Sequence, residues 1–118
     1  MNAELKKIFG EEIVVDGIAV PVAHIRYKGN SKTFVTWVIT DDKGELYADD
    51  EPVESSVAVD VDVFSDGNYT KLITAIKKLM KNNEWMWVED STEMLDEDTG
   101  LYHKTISFNK EGDLQWQE

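Results

Sequence analysis

The segment from Val57 to Val63 alternates apolar and other side chains and reads VAVDVDV. Successive side chains of a β-strand point to opposite faces of the sheet, so this spacing predicts a strand with a valine face and a carboxylate face. Asp60 and Asp62 share the second face. The strand pattern stops at Asp66-Gly67-Asn68, where a helix pattern begins. We therefore expect the valines to pack against that helix and the two carboxylates to point away from it.

The segment after this strand has the spacing of an amphipathic helix with Asn68 as its N-cap. Its apolar residues are Leu72, Ile73, Ile76, Leu79 and Met80. Residues 3–9 predict a short N-terminal helix that ends at Gly10, and strand patterns lie at 12–27, 33–40, 84–91 and 100–108, the first with a hairpin turn at Asp16-Gly17. This order predicts one α+β domain over residues 1–118. We expect an antiparallel or mixed β-sheet with one long helix packed on one face and a short N-terminal helix.

The composition argues against several classes of function. The chain has 118 residues with 12 Lys or Arg and 24 Asp or Glu, a net charge of −12. Binding to nucleic acid or to an anionic membrane needs a cluster of cations that this sequence lacks. There is no cysteine, which excludes disulfides and thiolate catalysis. No stretch resembles a signal peptide or a membrane span, so we expect synthesis in the cytosol.

Two groups of acidic residues are candidates for function. Asp60 and Asp62 lack the spacing of a calcium loop and the contrasting surroundings of a catalytic pair, so a solvated or lumen-facing sheet surface is the simpler interpretation. The second group lies in residues 41–52, for which turn-forming residues predict a solvated loop. Its candidate interaction residues are Asp41, Asp42, Asp49, Asp50 and Glu51.

The two histidines give no sign of catalysis. His24 and His103 lie in predicted strands, and neither has a nucleophile motif or a metal-ligand spacing beside it. We interpret both as residues on the polar face of a strand. The sequence therefore predicts no catalytic residue, no metal site and no cofactor.

The strand predicted at 84–91 is apolar on both faces. Trp85 and Trp87 share one face, and Met86 and Val88 share the other. Such a strand is either enclosed in the core or exposed for a partner. Core membership is the simpler interpretation of the tryptophans, and a subunit interface is the alternative, because Trp and Met are enriched in interfaces. The residues alone thus predict a small acidic binding or assembly protein rather than an enzyme.

Two stretches of the sequence resemble a known family. VDVDVFSDGNYTKL (59–72) and DEDTGLYHKTISF (96–108) are similar to segments of tail-terminator, or tail-completion, proteins of tailed phages and prophages. Those proteins read Val-Asp-Ile-Trp-Ser before a Gly-Asn-Tyr helix start, and later Asp-Thr-Gly-Leu-Tyr-His-Lys. Residues 33–51 resemble the strand and acidic loop that come before, so the resemblance covers residues 33–108. Phe64 stands where Trp is commoner, and the final residues EGDLQWQE extend past the pattern.

The resemblance implies a structural protein that forms a homo-oligomeric ring, expected to be a hexamer, on the head-proximal end of the tail tube. Such a ring stops tube polymerisation and joins tail to head, with the tail-tube protein and a head-completion protein as partners. It belongs to the virion, is assembled in the host cytoplasm without a membrane, and lets DNA pass without binding it specifically.

Under this interpretation, Asp60, Asp62 and the acidic loop line the inner wall, because like charge repels the phosphates. An outer, solvated face fits the same sequence. The alternatives are another minor tail or head-tail connector protein or, from a different class, a small acidic inhibitor or adaptor protein that mimics nucleic acid.

Overall fold

The fold is a single α+β domain in which a mixed sheet carries the described helices on one face. The computed structural model describes residues 2–43 and 55–112. In chain order the elements are α1 (Asn2–Phe9), β1 (Glu12–Val15), β2 (Ile18–His24), β3 (Thr33–Lys43), β4 (Ser55–Ser65), α2 (Thr70–Asn82), β5 (Met86–Asp90), β6 (Met94–Asp96) and β7 (Leu101–Gly112). Within the described residues, seven strands form one sheet in the order β1-β2-β3-β4-β7-β5, and β6 also pairs with β7.

Strands β3, β4 and β7 form the centre of the sheet. Antiparallel pairing places Val61 of β4 opposite Trp37 of β3 on one side and Ile106 of β7 on the other. Because paired residues point to the same face, these side chains form one apolar layer. The four valines at 57, 59, 61 and 63 are at most 1% exposed. The valine face predicted from the alternation is therefore confirmed as the core face.

Helix α2 crosses this layer and connects β4 to β5. Both strands run antiparallel to β7, which lies between them, so the unit is a split β-α-β. The helix buries the side chains of Leu72, Ile73, Ile76 and Met80. It has 13 residues and is shorter than the long helix expected. Helix α1 adds Leu5 and Phe9 to the same core and ends at Gly10, whose φ is +60°.

The C-terminus of α2 is closed by a Schellman motif. The backbone N–H of Trp85 donates to the carbonyl of Met80, and the N–H of Glu84 donates to that of Lys81. Glu84 has a φ of +68°, a left-handed conformation that usually takes glycine. The helix start is also displaced from the predicted cap: Tyr69 is the N-cap residue, and Asn68 Oδ1 accepts the N–H of Thr70 at 2.9 Å.

β2 and β3 are parallel neighbours joined by residues 25–32, which makes the sheet mixed, one of the two forms expected. Two other features of the sheet differ from the expectation. β6 is an additional short strand. Strand β3 continues past a bulge, where Asp41 pairs with Ala58 and Asp42 with Val57. The prediction of a loop at Asp41 and Asp42 is therefore wrong, because β4 extends far enough to pair with them. Asp49, Asp50 and Glu51 lie outside the described residues.

None of the helices in the described ranges is long and apolar enough to cross a membrane.

Candidate functional site

No described helix lies over the second face of the sheet, and Asp60 and Asp62 point to this helix-free face. Their partners across β7 are Ser107 and Thr105. Ser107 Oγ donates to Asp60 Oδ1 at 2.7 Å, and Thr105 Oγ1 donates to Asp62 Oδ1 at 2.5 Å. His103 Nε2 lies 2.9 Å from the same oxygen of Asp62. The two carboxylates are therefore held in fixed positions by β7 rather than moving freely in solvent.

A row of stacked rings crosses this helix-free face beside the carboxylates. Tyr27 stacks on Phe34 with ring centroids 4.4 Å apart, Phe34 stacks on Phe64 at 4.7 Å, and Phe64 stacks on His103 at 4.3 Å. The predicted position of His103 on the polar face is thus confirmed. The row itself was not predicted, because strand register brings Phe34, Phe64 and His103 together and the path of the crossover from β2 to β3 adds Tyr27. The one signal in the sequence is that each aromatic lies in or next to a strand pattern.

His24 lies on the opposite, helix-covered face. Its ring stacks on Trp37 with a centroid distance of 4.1 Å, and Trp37 is 2% exposed. The prediction of a polar-face position for His24 is therefore wrong. Strand β2 pairs in parallel with β3, and this register puts His24 directly opposite Trp37. The ring consequently serves as packing at the edge of the core.

The two candidate tryptophans have different surroundings. Trp85 is buried, with Lys110 Nζ 5.6 Å from its ring centroid. Among the described atoms, its buried Nε1 has no hydrogen-bond partner. Trp87 is 53% exposed and lies under Lys77, whose Nζ is 4.7 Å from the ring centroid. The core interpretation is therefore right for Trp85 and wrong for Trp87, whose ring stays half exposed beside Lys77 of α2.

An ion pair fixes the exposed tryptophan. Trp87 Nε1 donates to Asp90 Oδ1 at 2.8 Å, and Lys77 Nζ donates to Asp90 Oδ2 at 3.0 Å. Lys104 Nζ lies 3.6 Å from the same Oδ2 atom. Burial by itself raises the pKa of Asp90, but the Trp87 and Lys77 hydrogen bonds and the two lysine charges outweigh it and lower that pKa. These contacts hold the Trp87 ring in a fixed position beside Lys77.

Both lateral edges of the sheet expose large apolar side chains. We call β5 and β6 together the β5–β6 edge, since both lie along the outer side of β7. On it, Met86, Val88, Met94 and Leu95 are between 46% and 65% exposed. We call β1, β2 and Ile25 the β1–β2 edge, where Val14, Ile18 and Ile25 are between 62% and 66% exposed. Exposed apolar side chains grouped along the edges of a sheet are typical of protein interfaces.

A groove of about 580 Å³ opens between the β1–β2 hairpin and the start of α2. Ile18, Val20 and Leu72 line it, and Lys71 Nζ donates to Asp16 Oδ2 at 2.8 Å at its rim. The hydrogen bond to Asp16 and the charge of its carboxylate raise the pKa of Lys71. The groove is mostly apolar and lies next to the exposed side chain of Ile18.

Tyr69 lies at the start of α2, as its N-cap residue. Its hydroxyl donates to Glu93 Oε2 at 2.5 Å. Burial, the hydrogen bond to Glu93 and the charge of Glu93 together raise the pKa of Tyr69 to about 12. This contact ties the segment between β5 and β6 to the start of the helix.

The candidate residues do not converge on one centre. Asp60 and Asp62 lie on the helix-free face, whereas Trp87 pairs with Phe108 and points to the helix-covered face. Among the described residues, no three His, Asp or Glu side chains are grouped closely enough to hold a metal ion. No protein-family model matches the sequence, and a search of curated proteins finds no significant match.

Proposed function

We propose that this protein is a structural component of a tailed phage or prophage that caps the head-proximal end of the tail tube. In this role it stops tube polymerisation and forms the surface that joins tail to head. The observation that carries the proposal is the helix-free face of the sheet, on which Asp60 and Asp62 are fixed by hydrogen bonds from β7.

The fixed carboxylates suit a wall along which DNA passes. A phosphate backbone approaching Asp60 and Asp62 meets negative charge, so contact is repulsive and DNA slides without adhering. Hydrogen bonds from Ser107 and Thr105 keep both charges pointing away from the core. Stacked rings lie beside the carboxylates on this face, and the chain as a whole carries a net charge of −12.

Electron microscopy of the purified protein mixed with tail-tube subunits from the same genome tests this function. We expect rings, or tubes of uniform length that carry extra density at one end. Tubes that keep elongating and have bare ends would contradict the proposal. A protein that instead binds a basic partner with strong salt dependence would favour the acidic inhibitor or adaptor class.

A second experiment tests whether Asp60 and Asp62 line the path of the DNA. The Asp60→Asn/Asp62→Asn variant keeps the shape and hydrogen-bonding capacity of both side chains but removes both charges. We expect tubes to be capped normally and phage titre to fall, because DNA passage is impaired. Asp66→Asn/Asp98→Asn is the matched control, since it removes the same number of charges at two exposed positions outside the strands. Equal titres for the double variant and the control would show that this face does not line the DNA path.

A further inference from the structure

The outer side of β5 and β6 has no strand partner in the described part of the chain, so the backbone groups that point outward are open to pairing. We propose that this β5–β6 edge binds an extended segment of a partner protein, in which basic and apolar residues alternate, as an added strand of the sheet. The inference does not depend on the proposed function, because it needs only the edge and its side chains.

The backbone forms one edge that runs from β5 to β6. Both strands pair antiparallel with β7. Between them, the N–H of Ser91 donates to the carbonyl of Thr105 at 2.7 Å, and the N–H of Thr105 donates to Ser91 Oγ at 2.9 Å. The register shifts between Trp87 and Glu89, at a bulge that increases the local twist. An added strand can therefore follow β5 and continue along β6.

Large apolar side chains lie along the helix-covered face of this edge. Trp87, Leu95 and Tyr102 share that face and are 53%, 58% and 44% exposed. The ring of Trp87 is already fixed by Lys77 and Asp90, so its burial against a partner costs little further ordering. Fixed, exposed aromatic residues are typical anchors of protein interfaces. We therefore expect the residues of the added strand that point to this face to be apolar.

Carboxylates lie on the other face and reach the edge. Glu89 pairs with Ser107, and Ser107 pairs with Asp60, so Glu89 and Asp60 share the helix-free face two strands apart. Glu89 is exposed and forms no ion pair with any described residue. A residue of the added strand that lies opposite Glu89 points to the same face. We therefore expect that residue to be Lys or Arg.

The charge of the whole edge favours a basic partner. Residues 86–98 contain six acids and no Lys or Arg. Lys77 and Lys104, which lie beside the edge, both contact Asp90. The acids that are exposed to a partner are Glu89, Glu93, Glu97 and Asp98.

A second copy of this chain is a poorer occupant of the edge. Its own β5–β6 edge is acidic, and the chain around its β1–β2 hairpin exposes Glu11, Glu12 and Asp16. Either contact brings like charges together. The charge thus protects the open edge from pairing with another copy while leaving it attractive to a basic strand.

A synthetic strand tests the contact. The probe is a blocked, fluorescent eight-residue peptide in which Lys and Val alternate. Its comparator is N-methylated at the two central residues, which blocks both edges of the peptide and keeps its charge. We expect fluorescence anisotropy to show about tenfold tighter binding of the unmodified peptide, because only this peptide can complete the backbone hydrogen bonds. Equal binding of the two peptides, or no binding up to about 1 mM, would overturn the inference.

A pair of charge reversals tests the location of the bound peptide. Glu89→Lys/Glu97→Lys should weaken binding about tenfold, because it reverses charge at two exposed positions of the β5–β6 edge. Glu11→Lys/Glu12→Lys is the matched control, with the same change of net charge at two exposed positions beside the opposite edge, and should bind within about twofold of wild type. A larger loss in the control than in Glu89→Lys/Glu97→Lys would place the peptide elsewhere and overturn the inference.

Hydrogen exchange of the wild-type chain gives a readout that needs no variant. We expect the peptide to slow amide exchange in β5 and β6 and to leave β1 unchanged. Unchanged exchange in β5 and β6 would overturn the inference. Tube capping is scored separately: bare tubes with the peptide bound at this edge would refute the tail function alone, and capped tubes without peptide binding would refute the added strand alone.

Discussion

The imidazole Nε2 of His103 lies 2.9 Å from Oδ1 of Asp62 on the helix-free face of the sheet. The two residues come from β7 and β4, and the ring of His103 is also stacked on Phe64, at 4.3 Å. Stacking fixes the plane of the imidazole, so the nitrogen is directed at the carboxylate. Asp62 is thereby ordered more strongly than Asp60, whose carboxylate accepts the hydroxyl of Ser107.

This difference predicts unequal effects of neutralising the two acids. Asp62→Asn should lower the free energy of unfolding by about 1 kcal/mol, because hydrogen bonds to a charged acceptor are stronger than those to a neutral one. Asp60→Asn should have a smaller effect. Urea unfolding of both variants at neutral pH measures the difference. Equal losses, or a larger loss for Asp60→Asn, would refute the ordering role of His103.

The contacts of Asp90 predict a loss of stability in acid. Its pKa is lowered in the folded state, so the unfolded chain binds the proton more readily. The stabilisation is present above the ordinary carboxyl pKa of 3.8 and is lost as pH falls through the lowered value. Urea midpoints measured across this range for wild type and Asp90→Asn test it. The wild-type advantage should disappear at the acidic end, and an advantage independent of pH would contradict the prediction.

The left-handed backbone conformation of Glu84 predicts that glycine at this position stabilises the protein. Its φ of +68° in the Schellman motif of α2 costs about 1 kcal/mol for a residue with a Cβ. Glu84→Gly should therefore raise the free energy of unfolding by roughly 0.5–1 kcal/mol, part of the gain being offset by the freedom of glycine in the unfolded chain. Glu84→Ala is the control, because it removes the same charge without relieving the backbone. Thermal unfolding of Glu84→Gly and Glu84→Ala separates the two causes. An equal gain in stability for Glu84→Ala would show that the gain comes from removing the charge rather than from relieving the backbone.

The raised pKa of Tyr69 predicts that the folded protein also loses stability at alkaline pH. Because its pKa rises from 10.0 to about 12 in the folded state, the folded chain keeps the hydroxyl proton longer than the unfolded chain does. This contribution to stability is complete below pH 10 and declines between 10 and 12. Tyrosinate absorbance of wild type minus that of Tyr69→Phe follows the titration. Glu93→Gln should move it to lower pH, and an unchanged curve in that variant would show that Glu93 has no part in the shift.

The local sequence pattern was sufficient to predict the type of element wherever that element has one buried face. The alternation at 57–63 gave a strand with buried valines, and the spacing of Leu72, Ile76 and Met80 gave the helix that covers them. Asp16 and Gly17 have φ values of +53° and +78° and form the hairpin turn that their residue types predict. These features follow from the period of a strand, the period of a helix and the few residues that tolerate positive φ.

The amino-acid sequence by itself therefore determined the type of most elements and the face of the sheet to which Asp60 and Asp62 point. The tertiary structure alone decided their neighbours, because strand register brings together residues such as Asp62 and His103 that are distant in sequence. It also decided that β2 pairs in parallel with β3, that Asp41 and Asp42 continue a strand, and that Trp85 is buried while Trp87 is exposed. A strand carries the same alternation whichever partner it has, so pairing and coverage are fixed only when the whole sheet and its helices pack together.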